Sequence, residues 1–97
     1  MNKYSIIIPI FNEVQHVKKL LKGIEIYKEE GHEIIIVDDG SNDGTYEELT
    51  KSNFIKLIKS NVNQGKGNAL KKGLIFAKNN YILIFDGDNE LPPNQIR

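Results

Sequence analysis

Ninety-seven residues suffice for one hydrophobic core and no more. Lys and Arg number 13 against 13 Asp and Glu, which excludes the one-sided field of a nucleic-acid or anionic-membrane binder. The absence of cysteine excludes disulfides and thiolate metal sites, and no apolar run approaches the ~20 residues of a bilayer-spanning helix. Met1 leads directly into a strand-like run without the pattern of a secretory leader, so a cytoplasmic domain is expected.

Tyr4-Ser5-Ile6-Ile7-Ile8-Pro9-Ile10 is β-branched and almost continuously apolar, the pattern of a strand buried on both faces. Asn12 reads as a helix N-cap with Gln15 as its capping-box partner. Val14, Val17, Leu20, Leu21 and Ile24 then recur at helical spacing, with Lys18, Lys19 and Lys22 on the outer face, and Gly31 closes the helix near C′. Residues 33–37 form a second buried strand, halted by Asp38-Asp39-Gly40-Ser41-Asn42-Asp43-Gly44, a run dense in turn formers. Residues 45–52 read as a short helix, 54–59 as a third strand and 60–65 as a polar loop. A further helix turns Ala69, Leu70, Gly73, Leu74 and Ala77 inward, and Tyr81-Ile82-Leu83-Ile84-Phe85 is the fourth strand. His16 and His32 are expected on the solvent side, and Lys71 and Lys72 on a solvated helix face.

Strands separated by helices of this length make right-handed β-α-β units around a parallel sheet, so the fold class is α/β. The chain shows no internal repeat, low-complexity segment or linker, and residues 1–97 are read as one unit.

In an open parallel sheet, ligands bind beyond the carboxyl ends of the strands. The first strand runs out into Phe11-Asn12-Glu13, the second into Asp38-Asp39, the fourth into Asp86-Gly87-Asp88. Asp and Asn favour turns, and one such cluster needs no further reason; three on one edge call for a cation or donors to neutralise them. Two carboxylates flanking Gly87 can both reach a divalent ion or its bound diphosphate, and Glu90 offers a third oxygen. Hard oxygen ligands suit Mg²⁺ or Mn²⁺. Lys66, between Gly65 and Gly67 at a helix start, combines a cation with unpaired N–H groups suited to phosphate; the plainer reading is a tight turn with a solvated lysine. The spacing is not that of a Walker A loop.

Four motifs in order resemble those of family 2 glycosyltransferases of the GT-A fold. They are Ser5-Ile6-Ile7-Ile8-Pro9-Ile10-Phe11-Asn12-Glu13, Val37-Asp38-Asp39-Gly40-Ser41-Asn42-Asp43-Gly44-Thr45, Asn63-Gln64-Gly65-Lys66-Gly67-Asn68-Ala69 and Asp86-Gly87-Asp88. Asp86-Gly87-Asp88-Asn89-Glu90-Leu91-Pro92-Pro93 is most similar to the polyprenyl-phosphate sugar synthases. The resemblance implies a Rossmann-like open sheet of order 3-2-1-4. It also implies inverting transfer from a UDP- or GDP-linked sugar to a glycan or polyprenyl phosphate. By the same resemblance Asp39 accepts from the base ring N–H, Pro9, Phe11 and Glu13 line the base and ribose pocket, and Lys66 serves the phosphate side. Asp86, Gly87 and Asp88 meet the donor, with Asp86, Asp88 and Glu90 as metal ligands. Phe11 stands where the family often has Tyr, and Glu90 where the lipid-linked enzymes often have Gln.

The same resemblance places the catalytic base and the acceptor site after Arg97, so these residues are expected to bind donor without transferring sugar, with membrane contact arising in a longer protein. The order 3-2-1-4 also leaves the apolar strand 81–85 at an edge, where self-association is expected. A rival reading is a phosphoacceptor receiver domain with Asp38, Asp39 and Asp86 as its acidic site; against it, a whole strand and helix precede the acidic pair.

Overall fold

A computed structural model describes residues 2–85. The strands are β1 (Tyr4–Ile10), β2 (Glu33–Asp39), β3 (Lys56–Ser60) and β4 (Tyr81–Ile84). Between them lie α1 (Val17–Glu29), α2 (Thr45–Leu49) and α3 (Lys66–Phe76). Every pairing is parallel and the order is β3-β2-β1-β4, as the resemblance implies. In register, Ile7 of β1 stands between Ile35 of β2 and Ile84 of β4.

The continuous apolar runs are explained by parity, because successive strand side chains point to opposite faces. Ile6, Ile8, Ile10, Ile34 and Ile36 pack with Val17, Leu20, Ile24 and Tyr27 of α1. Ile7, Ile35 and Val37 pack with Ala69 of α3 on the other face. Each of these isoleucines, buried almost completely, contributes about 1.5–3 kcal/mol of transfer free energy. α3 can come this close because Gly73 faces Ile7: a Cβ there would lie 2.5 Å from Ile7 Cγ2.

Several local expectations need correction. α1 begins at Val17, after a 3₁₀ turn at Val14–His16, and Asn12 does not cap it. Asn12 instead has φ 51°, and its side-chain carbonyl accepts from Asn42 N–H. The C-terminus of α1 is as expected: Gly31 has φ 95°, its N–H donates to Lys28, and His32 N–H donates to Tyr27. β2 extends to Asp39, so the acidic pair belongs to the strand and not to the turn. Leu74 is 47% exposed, and it forms an outward apolar surface with Ile75 and Phe76.

His32 is not a solvent-side residue: it is 3% exposed, and its Nδ1 accepts the Tyr4 N–H at 3.0 Å. Burial, helped by the charge of Lys3 and opposed by Glu30, holds its pKa below the ordinary 6.5. Beside it, Glu33 closes the amino edge of the sheet. Its Oε1 accepts from Ser5 Oγ at 2.7 Å and Lys78 N–H at 2.9 Å, and its Oε2 lies 3.1 Å from Lys56 Nζ. Burial pushes the Glu33 carboxyl up, but the bonds from Lys78, Ser5 and Lys56 outweigh it and the net shift is downward.

Candidate functional site

The carboxyl edge is built by the ends of β1, β2 and β3 and the loops that leave them. Pro9 sits in β1 opposite Val37. Phe85 N–H donates to Ile7 O, so the β1 main chain at Ile7 faces the chain leaving β4.

Asp38 and Asp39 are the last two residues of β2, paired with Ile10 of β1 and Ser60 of β3 respectively, with side chains on opposite faces. Asp39 is 4% exposed, and its two oxygens are used separately: Oδ1 accepts Gln64 N–H at 3.0 Å and Oδ2 accepts Gly65 N–H at 2.8 Å. This carboxylate thus ties the loop before α3 to the end of β2. Asp38 is fully buried; its Oδ1 accepts Ser41 N–H at 3.2 Å, while its Oδ2 has no donor among the described residues. Gly40 follows with φ 82°, and a Cβ there would sit 2.5 Å from Val62 C and Asn63 N, so the two loops meet main chain to main chain.

The turn that follows reaches back to β1. Asn12 N–H donates to Ser41 Oγ at 2.8 Å, Glu13 N–H to Thr45 Oγ1 at 2.9 Å and Val14 N–H to Asp43 Oδ2 at 3.3 Å. Asp43 Oδ1 in turn accepts both the Thr45 N–H at 3.0 Å and the Thr45 hydroxyl at 2.5 Å. Burial raises the Asp43 carboxyl, but the bonds from Thr45 and Val14 prevail and hold it below the ordinary carboxylate range. Sequence reading treated this stretch as a turn and missed its role; Asp43 two residues before Thr45, at a helix start, was the available signal.

The residues singled out from the sequence come together in part. Phe11 lies at the edge with its ring 42% exposed, and Glu13, half-buried, is bonded to His16 Nδ1 at 2.7 Å. Lys66 is exposed as the first residue of α3, after Gly65 with φ 96°. Thus Pro9, Phe11, Glu13, Asp39 and Lys66 share one edge of the sheet. Asp86, Gly87, Asp88 and Glu90 lie outside the described residues. Among the described residues, no group of three His, Cys, Asp or Glu side chains is placed to hold a cation, and no helix is long and apolar enough to cross a membrane.

An open parallel α/β sheet with its polar loops gathered at the carboxyl edge is the architecture of nucleotide-binding proteins. The chain belongs to glycosyl transferase family 2, whose model matches residues 5–97. It is 36% identical over 98 residues to dolichyl-phosphate beta-glucosyltransferase of Dictyostelium discoideum, covering 87% of this chain and 30% of that one. The structure of TarS from S. aureus in complex with UDP superposes with a TM-score of 0.77 at 26% identity, covering 89% of this chain and 27% of that one. The mannosyltransferase PcManGT from Pyrobaculum calidifontis, in complex with GDP-Man and Mn²⁺, gives 0.73 at 26% identity, covering 90% and 28%. The chain therefore spans under a third of each of these three proteins. Family membership sets aside the receiver-domain reading.

Proposed function

We propose that this chain is the donor-binding part of an inverting, metal-dependent glycosyltransferase, taking a UDP- or GDP-linked sugar. The observation that carries the reading is the buried Asp39 at the carboxyl end of β2, held rigidly between the loops that would surround a base. A carboxylate has about four lone-pair sites, so two main-chain donors leave acceptor capacity for a ring N–H. Phe11 supplies an exposed aromatic side chain at the same edge of the sheet, and Pro9 and Glu13 complete the base and ribose wall. Lys66, at the positive end of α3, serves the diphosphate.

Asp86, Asp88 and Glu90, which follow β4, have the hard oxygen donors that suit Mg²⁺ or Mn²⁺. Such an ion supplies charge neutralisation at the departing nucleoside diphosphate.

The acceptor is a glycan or, by likeness to the dolichyl-phosphate relative, a polyprenyl phosphate. To the residues that match these relatives we assign donor binding.

The test is calorimetry with UDP, GDP and their sugars, each with and without Mn²⁺. Binding that strengthens with Mn²⁺, and loses that dependence in Asp88→Asn, is expected. Affinity that is equal with and without metal in both proteins would refute the ligand assignment, and no binding by either nucleotide would refute the function.

A further inference from the structure

The turn at residues 41–45 lies outside the wall assigned to the nucleotide, yet it supplies three consecutive main-chain N–H groups of the 12–14 segment with their acceptors. We propose that Asp43, acting through Thr45, is a positioning residue that sets the conformation of the Phe11–Glu13 wall against which the nucleoside part of the donor binds. The inference rests on the donor-binding reading above.

The geometry is that of a two-step relay. Thr45 is fully buried, and its hydroxyl hydrogen is committed to Asp43 Oδ1. A hydroxyl has one hydrogen and two lone pairs, so fixing the hydrogen fixes where the lone pairs point. They receive the Glu13 N–H. The other Asp43 oxygen takes the next amide, Val14. One carboxylate thereby controls two successive peptide groups, one directly and one through the hydroxyl.

The segment so held needs holding. Asn12 has φ 51°, a left-handed conformation that a residue with a side chain adopts at a cost, and here it is fixed from both sides by Ser41 and Asn42. Glu13, at φ −122° and ψ 37°, is neither strand nor helix. Such a bend would relax without external acceptors, carrying Phe11 and the Glu13 side chain off the edge. The acceptors all come from the loop that leaves β2 directly after Asp39 and from Thr45 at the start of α2; the wall and the base-recognising carboxylate are therefore set in one frame. The run Asp38-Asp39-Gly40-Ser41-Asn42-Asp43-Gly44-Thr45 has, on this account, a division of labour: its second residue meets the base, and its fourth, sixth and eighth hold the opposing wall.

Three proteins test this: Asp43→Asn, Thr45→Val and Thr45→Ser, each against the parent. Asp43→Asn changes an exposed turn with nearly the same shape, so it remains informative if the buried Thr45→Val does not fold. Two measurements are made at a temperature where circular dichroism shows each protein folded. The first is amide exchange at Asn12, Glu13 and Val14, with Ile6 to Ile8 as the core reference; it needs no ligand. The second is titration with UDP, GDP and inorganic pyrophosphate, all with Mn²⁺.

The expected result is lost protection at Glu13 and Val14 with the core unchanged. Affinity for the preferred nucleotide should fall about tenfold, the scale of one net hydrogen bond. Pyrophosphate binding, which bypasses the wall, should stay at the parent level, and Thr45→Ser should restore nucleotide affinity. A merely structural role would weaken pyrophosphate and nucleotide together. Unchanged protection, or unchanged nucleotide affinity in folded Asp43→Asn, overturns the positioning role while leaving donor binding standing. A parent that binds neither nucleotide overturns both.

Discussion

Removing the Asp39 side chain should show how much of the site is held by one carboxylate. In Asp39→Ala two acceptors vanish, those for Gln64 and Gly65. Hydrogen bonds to a charged group are worth roughly 1.5–3 kcal/mol each, so the gross loss is about 3–6 kcal/mol. Gln64 is exposed and Gly65 half-buried, and water can therefore reach both amides once the side chain is gone. That compensation brings the expected loss to roughly 2–3 kcal/mol, or about 10–20 °C in Tm for a domain of this size. Asp39→Asn keeps one acceptor but turns an NH₂ group towards the other donor, so it should recover less than half of the loss. The assay is thermal unfolding followed by circular dichroism, joined to amide exchange at Gln64 and Gly65. A Tm within about 3 °C of the parent, with both amides still protected, would refute the claim that Asp39 fastens this loop. Of the nucleotide functions, base discrimination should go first, with a residual metal–diphosphate affinity left behind.

Two glycines should each resist replacement by alanine, to different degrees. Gly73→Ala gains ~1 kcal/mol of propensity within α3 but drives a Cβ to 2.5 Å from Ile7 Cγ2, and overpacking of ~1–3 kcal/mol makes it a net loss in urea denaturation. Gly40→Ala meets main chain at 2.5 Å and keeps a left-handed φ, so its loss should be larger, roughly 2–4 kcal/mol; the reverse order would refute the close approach of the two loops. Acid should act in two stages. His32, with its pKa lowered, stabilises the fold fully above 6.5 and less as pH falls below it, because the unfolded chain takes the proton first; His32→Phe should flatten that stage. Glu33 and Asp43, also lowered, contribute fully above their ordinary 4.5 and 3.8 and progressively less below them, measured as the pH dependence of Tm. Finally, β3 carries Lys56 and Lys59 whereas β4 has no charge and leaves Tyr81 and Ile84 each 51% exposed, so the chain should self-associate through β4. Sedimentation should show Ile84→Lys shifted to monomer; a parent that is monomeric at high concentration would refute this.

The sheet was legible because its signal is redundant. Runs such as Ile6-Ile7-Ile8 and Ile34-Ile35-Ile36 can be satisfied only by burial on both faces, and with helical stretches between them little but a parallel α/β sheet remains. The motif residues of β1 and β2 were legible for the same reason: strand ends fix their edge. What sequence reading missed depends on side chains meeting across long separations. Asn12 has the right chemistry for an N-cap, and no local rule reveals that Ser41 and Asn42, about thirty residues on, hold it in another conformation. His32 is polar and next to a glycine, so it reads as exposed; its burial follows from the Tyr4 N–H, which needs an acceptor where β1 begins. Leu74 fits the inward helical spacing, yet Gly73 takes the position nearest the sheet and turns Leu74 outward.

The two edges of the sheet solve the problem of buried polarity in different ways, and the difference bears on function. At the amino edge both Glu33 oxygens are partnered: Ser5 and Lys78 share one oxygen and Lys56 takes the other, while Ser5 accepts from Asn79 and Asn79 donates to the Tyr4 carbonyl. These bonds join β1, β2, β3 and the segment entering β4, and a closed network of that kind favours one rigid arrangement. At the carboxyl edge the acceptors are arranged to hold loops, and one of them is left over: Asp38 Oδ2 is buried without a donor among the described residues. An unpaired buried acceptor costs roughly 1–3 kcal/mol, a cost that persists in native folds chiefly where water, an ion or a ligand meets it. The amino edge is thus held by a closed network, while the carboxyl edge, where the donor is proposed to bind, carries a buried carboxylate oxygen without a donor among the described residues. Asp39 is held by two amides yet retains lone pairs, and on the proposed donor-binding reading a carboxylate there can do both tasks where a neutral amide, with one acceptor oxygen, could not.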